Sequence, residues 1–389
     1  MPTEEHICPV RAVTRGPKAH FFGYYDKPPW DASGRWLLAL EAEAVDRMPQ
    51  PGEAAVVGVV DLETGRFDPV AETRAWNWQQ GCMLQWLPSA PDREIVYNDC
   101  VDGRHVAVVL DVHTGRRRLL PRPIYSVAHD GRSALSISLA RLAHARPIVG
   151  YAGVADPWAD DPHPAEDGVW WMDLATGESR LVVSLDRVAR FEPEATMRDA
   201  AHRFEHVTLA PGDRRFFFLQ RWPRLEKGRP FHDRLLTAGV DGADLHVLAT
   251  GLVSHFDWRD PDHVLAWASA AERGTHFHLF TDRTAEVETV GADVLTKDGH
   301  CSYSPDRRWI LSDVYPDVEW RTRLLVYEVA ANRRVDVGRF HAPRRLYQVP
   351  GIRCDLHPRW SRDGCSVCID SAHEGARQMY VVDVSAVVG

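Results

Sequence analysis

The sequence predicts a seven-bladed β-propeller, an all-β ring of four-stranded antiparallel sheets. Three observations carry that expectation. A strand–turn–strand pattern recurs seven times, each copy is followed by a second hairpin, and the two ends of the chain look like halves of one sheet.

The clearest copies are HCSYSPDRRWILSD from His300, HPRWSRDGCSVCIDS from His357, HVTLAPGDRRFFFLQ from His206 and HFDWRDPDHVLAWAS from His255. Looser copies are IYSVAHDGRSALSIS, GCMLQWLPSAPDREIVYND and HFFGYYDKPPWDASGRWLLALE. Their Pro-Asp, Asp-Gly and Ser-Gly pairs favour tight reversals between strands. The second hairpins include AVVGVVDLETGRFDPV, VAVVLDVHTGRRRLL, GVWWMDLATGESRLVV and RLLVYEVAANRRVDV. Two hairpins per repeat give one blade, and closing the ring protects strand edges.

The last repeat ends at QMYVVDV, one strand short, and ICPVRAV near the N-terminus has the alternation to complete it. One domain over residues 1–389 is therefore expected, with no internal boundary. Two segments break the period: the acidic, proline-rich 154–167 and the helix-forming 185–204. Such insertions either wall a binding site or decorate the surface.

Composition narrows the function. The net charge of −9 argues against a nucleic-acid partner, which would need a basic face. MPTEEHICPVRAVTRG has no apolar h-region, and no run of about 18 apolar residues occurs, so a cytoplasmic protein without a membrane span is expected. Seven cysteines at irregular spacing do not resemble a disulfide framework. Cys365 and Cys368 form a C-x-x-C inside the apolar run CSVCID, which reads as buried strand rather than as a redox or zinc motif.

The first strand of each blade should line the channel, so the residue opening each repeat should lie near its mouth. Those residues are His20, Gln80 (beside Gln79), Tyr125, His206, His255, His300 and His357, five histidines among seven positions. Each alone could be a neutral imidazole bonded to a carbonyl. Five together suggest a cluster that binds a metal, moves protons or contacts a ligand. His300 and His357 open neighbouring blades, and strand alternation would put Asp355 on the face of His357. Imidazole with carboxylate suits Mn, Zn or Fe better than Ca or Mg. Cys301 and Cys354 should point away.

Cations are also available for an anionic substrate: Arg141 after the third blade's first hairpin, Arg221 ending RRFFFLQR, and Arg344, Arg345, Arg353 and Arg359 around the His357 entrance. A guanidinium can grip a sugar carboxylate with two parallel hydrogen bonds. His20, Gln80, Arg221 and Arg353 are the expected substrate-binding set.

The entrances SHFDW, DGHCSYSPD and CDLHPRWSRDG resemble the C-terminal half of the oligogalacturonate lyases. That resemblance implies a cytoplasmic seven-bladed propeller cleaving short pectic oligomers by β-elimination. It implies a histidine base, matched by His255, and a divalent metal, usually manganese, on histidines of the next two blades, matched by His300 and His357. The family carries a Gln and a His-x-His at the last ligand group, where this chain has Asp355-Leu356-His357. A second resemblance is to propeller lyases acting on ulvan and rhamnose–glucuronate linkages. There a Tyr and an Arg 16 residues later work beside two histidines, matched by Tyr125 and Arg141, with Gln80 where a histidine would stand.

The expected function is a lyase that cleaves an acidic, uronate-containing oligosaccharide at the channel mouth. His255 or Tyr125 would take the C5 proton, and Tyr125 or His206 would protonate the leaving oxygen. A metal on His300, His357 and Asp355, or else Arg141, would neutralise the growing charge. A glycoside hydrolase on the same scaffold would show two carboxylates at the site. A non-catalytic platform for a protein partner would show an apolar patch, which some of the 14 tryptophans could supply.

Overall fold

The structure is a computed structural model describing residues 3–44, 46–224 and 230–389. Seven sheets form, and in six of them four strands follow one another in chain order or its reverse. The first blade comprises Ala19–Phe21, Trp36–Ala42, Ala55–Asp61 and Phe67–Thr73. The fourth comprises Arg203–Leu209, Arg215–Pro223, Phe231–Gly239 and His246–Gly251. The seven-bladed propeller expected from the repeats is the fold.

Ring closure follows the expected route. Val10–Ala12 pairs antiparallel with Gln378–Asp383 and completes the last blade. A further strand was not anticipated: Thr3–Glu5 pairs parallel with Arg333–His341 on the sixth blade, making five strands there. Glu4 and Glu5 fix it through Arg333 and Arg339. Two adjacent blades are thus fastened by one N-terminal segment.

Apolar residues pack between blades, and several tryptophans also tie neighbours by hydrogen bonds. The indoles of Trp86, Trp258 and Trp360 donate to the carbonyls of Pro29, Thr208 and Ser302, each on the preceding blade, at 2.9, 3.2 and 3.4 Å. That accounts for tryptophan at equivalent positions in WLPSAPD, WRDPD and WSRDG: the ring fills the interface and its N–H is satisfied. Cys368 is buried within the strand Ser366–Ser371 as expected, whereas Cys365 precedes the strand in a bend and is half-buried; both thiols are free.

One feature of the first blade controls the channel. After Phe21 the chain leaves the sheet at Gly23 and resumes pairing only at Trp30, which bridges to Leu37. The intervening loop reaches across the ring. The Tyr25 hydroxyl meets the backbone O and N of Phe256 in the fifth blade, both at 3.0 Å. Gly23, at φ +133°, runs so close to the second blade that a Cβ would sit 2.8 Å from the Gln80 backbone.

The loop is anchored by the seventh blade. Arg359 and Asp370 form an ion pair at 2.9 Å, both side chains about 1% exposed. Arg359 also donates to the carbonyls of Gly23 and Tyr24, and Asp370 accepts from the amides of Phe22 and Gly23. Removing one partner leaves a buried charge alone, at a cost of about 3–5 kcal/mol. Asp370→Ala is expected to lose that much stability in urea denaturation, whereas Asp61→Ala should lose clearly less, because the exposed Arg35 keeps Glu63 as a second partner at 3.1 Å.

Candidate functional site at the channel mouth

Two of the entrance histidines owe their direction to bulges. The first-strand ladder of the fourth blade slips between Glu205 and Thr208, and His206 there adopts φ +54°. In the fifth blade the slip falls between Val253 and Phe256, around His255. An extra residue in one strand re-aims the side chain it carries. His300 lies just ahead of its strand, with its backbone N–H on Asp313 at 2.8 Å. His357 also precedes its strand, at φ +41°. The strand alternation expected to align Asp355 with His357 is therefore absent. An irregular segment ahead of the strand brings them together instead.

The rings converge. His300 lies 4.0 Å from His255 and 4.4 Å from His357, centroid to centroid. Tyr24 stacks on His206 at 5.1 Å and meets His357 edge-on at 5.0 Å. A cavity of about 170 Å³ opens here, lined by Tyr24, His206, His255, His300, Tyr315 and Arg353 among others.

Carboxylates set the tautomers. His255 Nδ1 is 2.8 Å from Asp298 and its Nε2 is 3.4 Å from the Tyr315 hydroxyl. Burial raises the Asp298 carboxyl, but pairing with His255 and Ser254 overcomes this and holds it below its ordinary value. An ionised Asp298 only accepts, so the proton sits on Nδ1 and the lone pair on Nε2. Burial lowers the His255 imidazole despite Asp298, which keeps it neutral at pH 7. His300 repeats the arrangement, with Nδ1 2.9 Å from both oxygens of Asp313.

His300, Asp355 and His357 offer three donor atoms within 4.8 Å of one another, all from buried residues. Nε2 of His357 is buried with no hydrogen-bond partner among the described residues. A buried ring nitrogen without a partner, beside an imidazole fixed through its other nitrogen by a carboxylate, can serve as part of a metal donor set. These residues fit a divalent transition metal. Asp355 is also held by Arg353 at 2.6 Å.

Guanidiniums line another wall. Glu205, fully buried, accepts from Arg203, Arg146 and Arg221 at 2.6–2.7 Å. Burial would raise its carboxyl, yet the three cations hold it well below the ordinary range. Arg146, Arg221 and Arg353 all face the cavity.

Four expected site residues do not join the cluster. His20 lies within the first-blade ladder, bonded to Glu41 and Gln378, because the channel-facing segment there is the later loop with Tyr24 and Tyr25. Gln80 faces Tyr125 at 3.1 Å, and it is Gln79 that lines the cavity. The buried Tyr125 hydroxyl is committed to Gln80 and to the amide of His206. Arg141 donates to carbonyls of Trp158, Asp161, Pro162 and His202 and pairs with Asp156, fastening the 154–167 insertion instead of facing a ligand.

Conversely, Tyr24, Arg146, Asp298, Asp313 and Tyr315 were not anticipated. Asp313 had a usable signal: it follows His300 by 13 residues at the end of the facing strand, as Asp370 follows His357. Neither expected insertion lines this cavity: Arg146, Ile148 and Val149 come from the segment between the helix Leu139–Ala145 and the 154–167 insertion, and within 185–204 the helix Leu185–Arg190 accepts from Arg234 of the fourth blade.

The buried imidazoles give a stability prediction. Burial pushes His206 and His357 well below the ordinary 6.5. As pH falls through about 6.5, the unfolded chain gains protons that the folded one refuses. Stability is therefore complete above that value and declines below it, by up to about 1.4 kcal/mol per pH unit for each histidine. Urea denaturation at pH 7 and pH 5 should show the loss, with a shallower slope in His206→Gln.

No family profile matches the chain, and no curated protein matches it in sequence. Solved structures do match in fold. An oligogalacturonate lyase from Vibrio parahaemolyticus superposes with TM-score 0.68 at 15% identity, covering 98% of this chain and 96% of that one. An oligogalacturonate lyase in complex with manganese gives 0.68 at 16% identity, covering 97% and 93%. A puromycin-hydrolysing peptidase of Mycobacterium tuberculosis gives 0.57 at 14%, covering 99% of this chain and 55% of that one. The resemblance to the oligogalacturonate lyases thus holds for the propeller along nearly the whole chain.

Proposed function

We propose that this protein is a lyase that cleaves uronate-containing oligosaccharides by β-elimination at the channel mouth. The observation that carries the reading is the His255–Asp298 pair opening onto the same cavity as His300, the neighbour of the Asp355–His357 donor set, and three arginines.

The chemistry needs a neutral base, a sink for charge on the uronate carboxylate, and a donor for the leaving oxygen. His255 supplies the base. Its Nε2 carries the lone pair, 3.4 Å from the Tyr315 hydroxyl in a cavity both residues line, and Asp298 steadies the imidazolium formed when the C5 proton arrives. Arg353 and Arg221, already fixed by Asp355 and by Glu205 and Asp233, offer rigid donors for carboxylates of the substrate. His300, His357 and Asp355 would hold a divalent transition metal, manganese first with zinc or iron also suited, which when bound would supply Lewis-acid positive charge to the substrate carboxylate.

The carboxylates argue against hydrolysis. Asp298 and Asp313 are engaged by imidazoles, and Glu205 and Asp355 by guanidiniums. A glycosidase pair needs one carboxyl able to stay protonated. The neighbours' substrate, oligogalacturonate, makes pectic oligomers the first class to try.

Oligogalacturonates and glucuronate-containing oligomers, incubated with the protein and Mn²⁺, are expected to yield a 4,5-unsaturated uronate, read by the ultraviolet absorbance of its conjugated double bond. His255→Ala should lower the rate by about 10²–10⁴-fold with the fold intact. New reducing ends without that absorbance would overturn the reading in favour of hydrolysis.

A further inference from the structure

The base and the charge sink leave one demand unmet. A sugar alkoxide is a poor leaving group, so breaking the C4–O bond calls for a proton on the departing oxygen. Four tyrosines surround the histidine cluster, and their hydroxyls differ in what they are free to do.

Tyr25 is bonded to both the N–H and the carbonyl of Phe256. Tyr125 is buried against Gln80 and the His206 amide and does not reach the cavity. Tyr315 leans on His255 Nε2 at 3.4 Å, on the side where the base acts. Tyr24 alone among these has no hydrogen-bond partner for its hydroxyl among the described residues, and it lines the cavity. Its ring is held by His206, His357 and Tyr25 at 5.1, 5.0 and 4.6 Å, and its backbone by Arg359. A rigid side chain ending in an uncommitted donor is organised to serve a ligand. His206 is a weaker candidate, because burial keeps its imidazole neutral and one ring nitrogen has no outlet.

We propose that Tyr24 is a catalytic residue whose hydroxyl gives its proton to the departing glycosidic oxygen, a role that rests on the lyase reading above. In the step, the C5 proton passes to His255 Nε2 and its electron pair forms the C4=C5 bond. The C4–O bond breaks, and the leaving oxygen takes the Tyr24 proton. His255 is left protonated and Tyr24 as a phenolate, which burial disfavours and the nearby cavity-lining cation Arg146 partly offsets, so it is short-lived. Solvent in the cavity then carries the proton from one to the other, and no redox partner is needed.

The test compares wild type, Tyr24→Phe and Tyr315→Phe on two substrates: an oligouronate with an ordinary sugar leaving group, and a uronide bearing an aryloxide at C4. An aryloxide departs without protonation. Tyr24→Phe, which keeps the ring and its stacking, is expected to lose about 10²-fold or more in kcat/KM on the oligouronate. On the aryl substrate it should stay within about threefold of wild type, since only the acid's contribution is bypassed. Equal losses on both substrates, no loss on either, or the leaving-group effect appearing in Tyr315→Phe would each overturn the assignment while leaving the lyase reading intact. Wild type that turns over neither substrate would overturn that reading, and this assignment with it.

Discussion

The site depends on one buried ion pair, Arg359 with Asp370. The pair lies in the last blade, yet its hydrogen bonds end on the backbone of Phe22, Gly23 and Tyr24 in the first. It therefore joins the two ends of the ring at the channel, while the Val10–Ala12 strand joins them at the rim. It also fixes the loop that carries Tyr24 and Tyr25 across the opening. A buried pair of this kind adds little to net stability beside an apolar alternative. Its use here is directional, since it holds a strained glycine turn against the second blade and aims two phenols at histidines of four other blades.

Around that loop the chain solves one electrostatic problem in two ways. Imidazoles packed centroid to centroid at 4.0 and 4.4 Å repel if protonated. Asp298 and Asp313 fix the protonated nitrogen of His255 and His300, leaving the other for chemistry. Among the described residues His357 has no such carboxylate on its ring. Its equivalent by spacing, Asp370, has been taken by Arg359, and its Nε2 is left buried and unsatisfied. Arginines answer the opposite problem on the other wall, where Glu205 binds three of them.

Much of this was legible in the sequence. The SPDG-type turns and paired hairpins disclosed the blades, and ICPVRAV disclosed the closing strand, because local turn chemistry and alternation survive in a repeat. His206, His255, His300 and His357 were readable as one set since each opens a copy. His20 was misread for a physical reason: it opens its copy too, but it is paired within the strand Ala19–Phe21, and the loop that follows carries Tyr24 to the ring position. Arg141 matched a spacing, yet what a guanidinium does depends on which carbonyls surround it, and these belong to an insertion with no repeat to read. The partners that set the tautomers are long-range, and only the 13-residue interval from His300 to Asp313 announced one.

Binding of Mn²⁺ to the metal-stripped protein tests the central claim most directly, because it asks whether the orphaned His357 nitrogen and the oriented His300 act together. The titration, followed by the electron paramagnetic resonance signal of free Mn²⁺, would include His300→Ala and His357→Ala. One saturable ion per chain, absent from both variants, is the predicted result. No binding to the wild type, or equal binding in either variant, would contradict it.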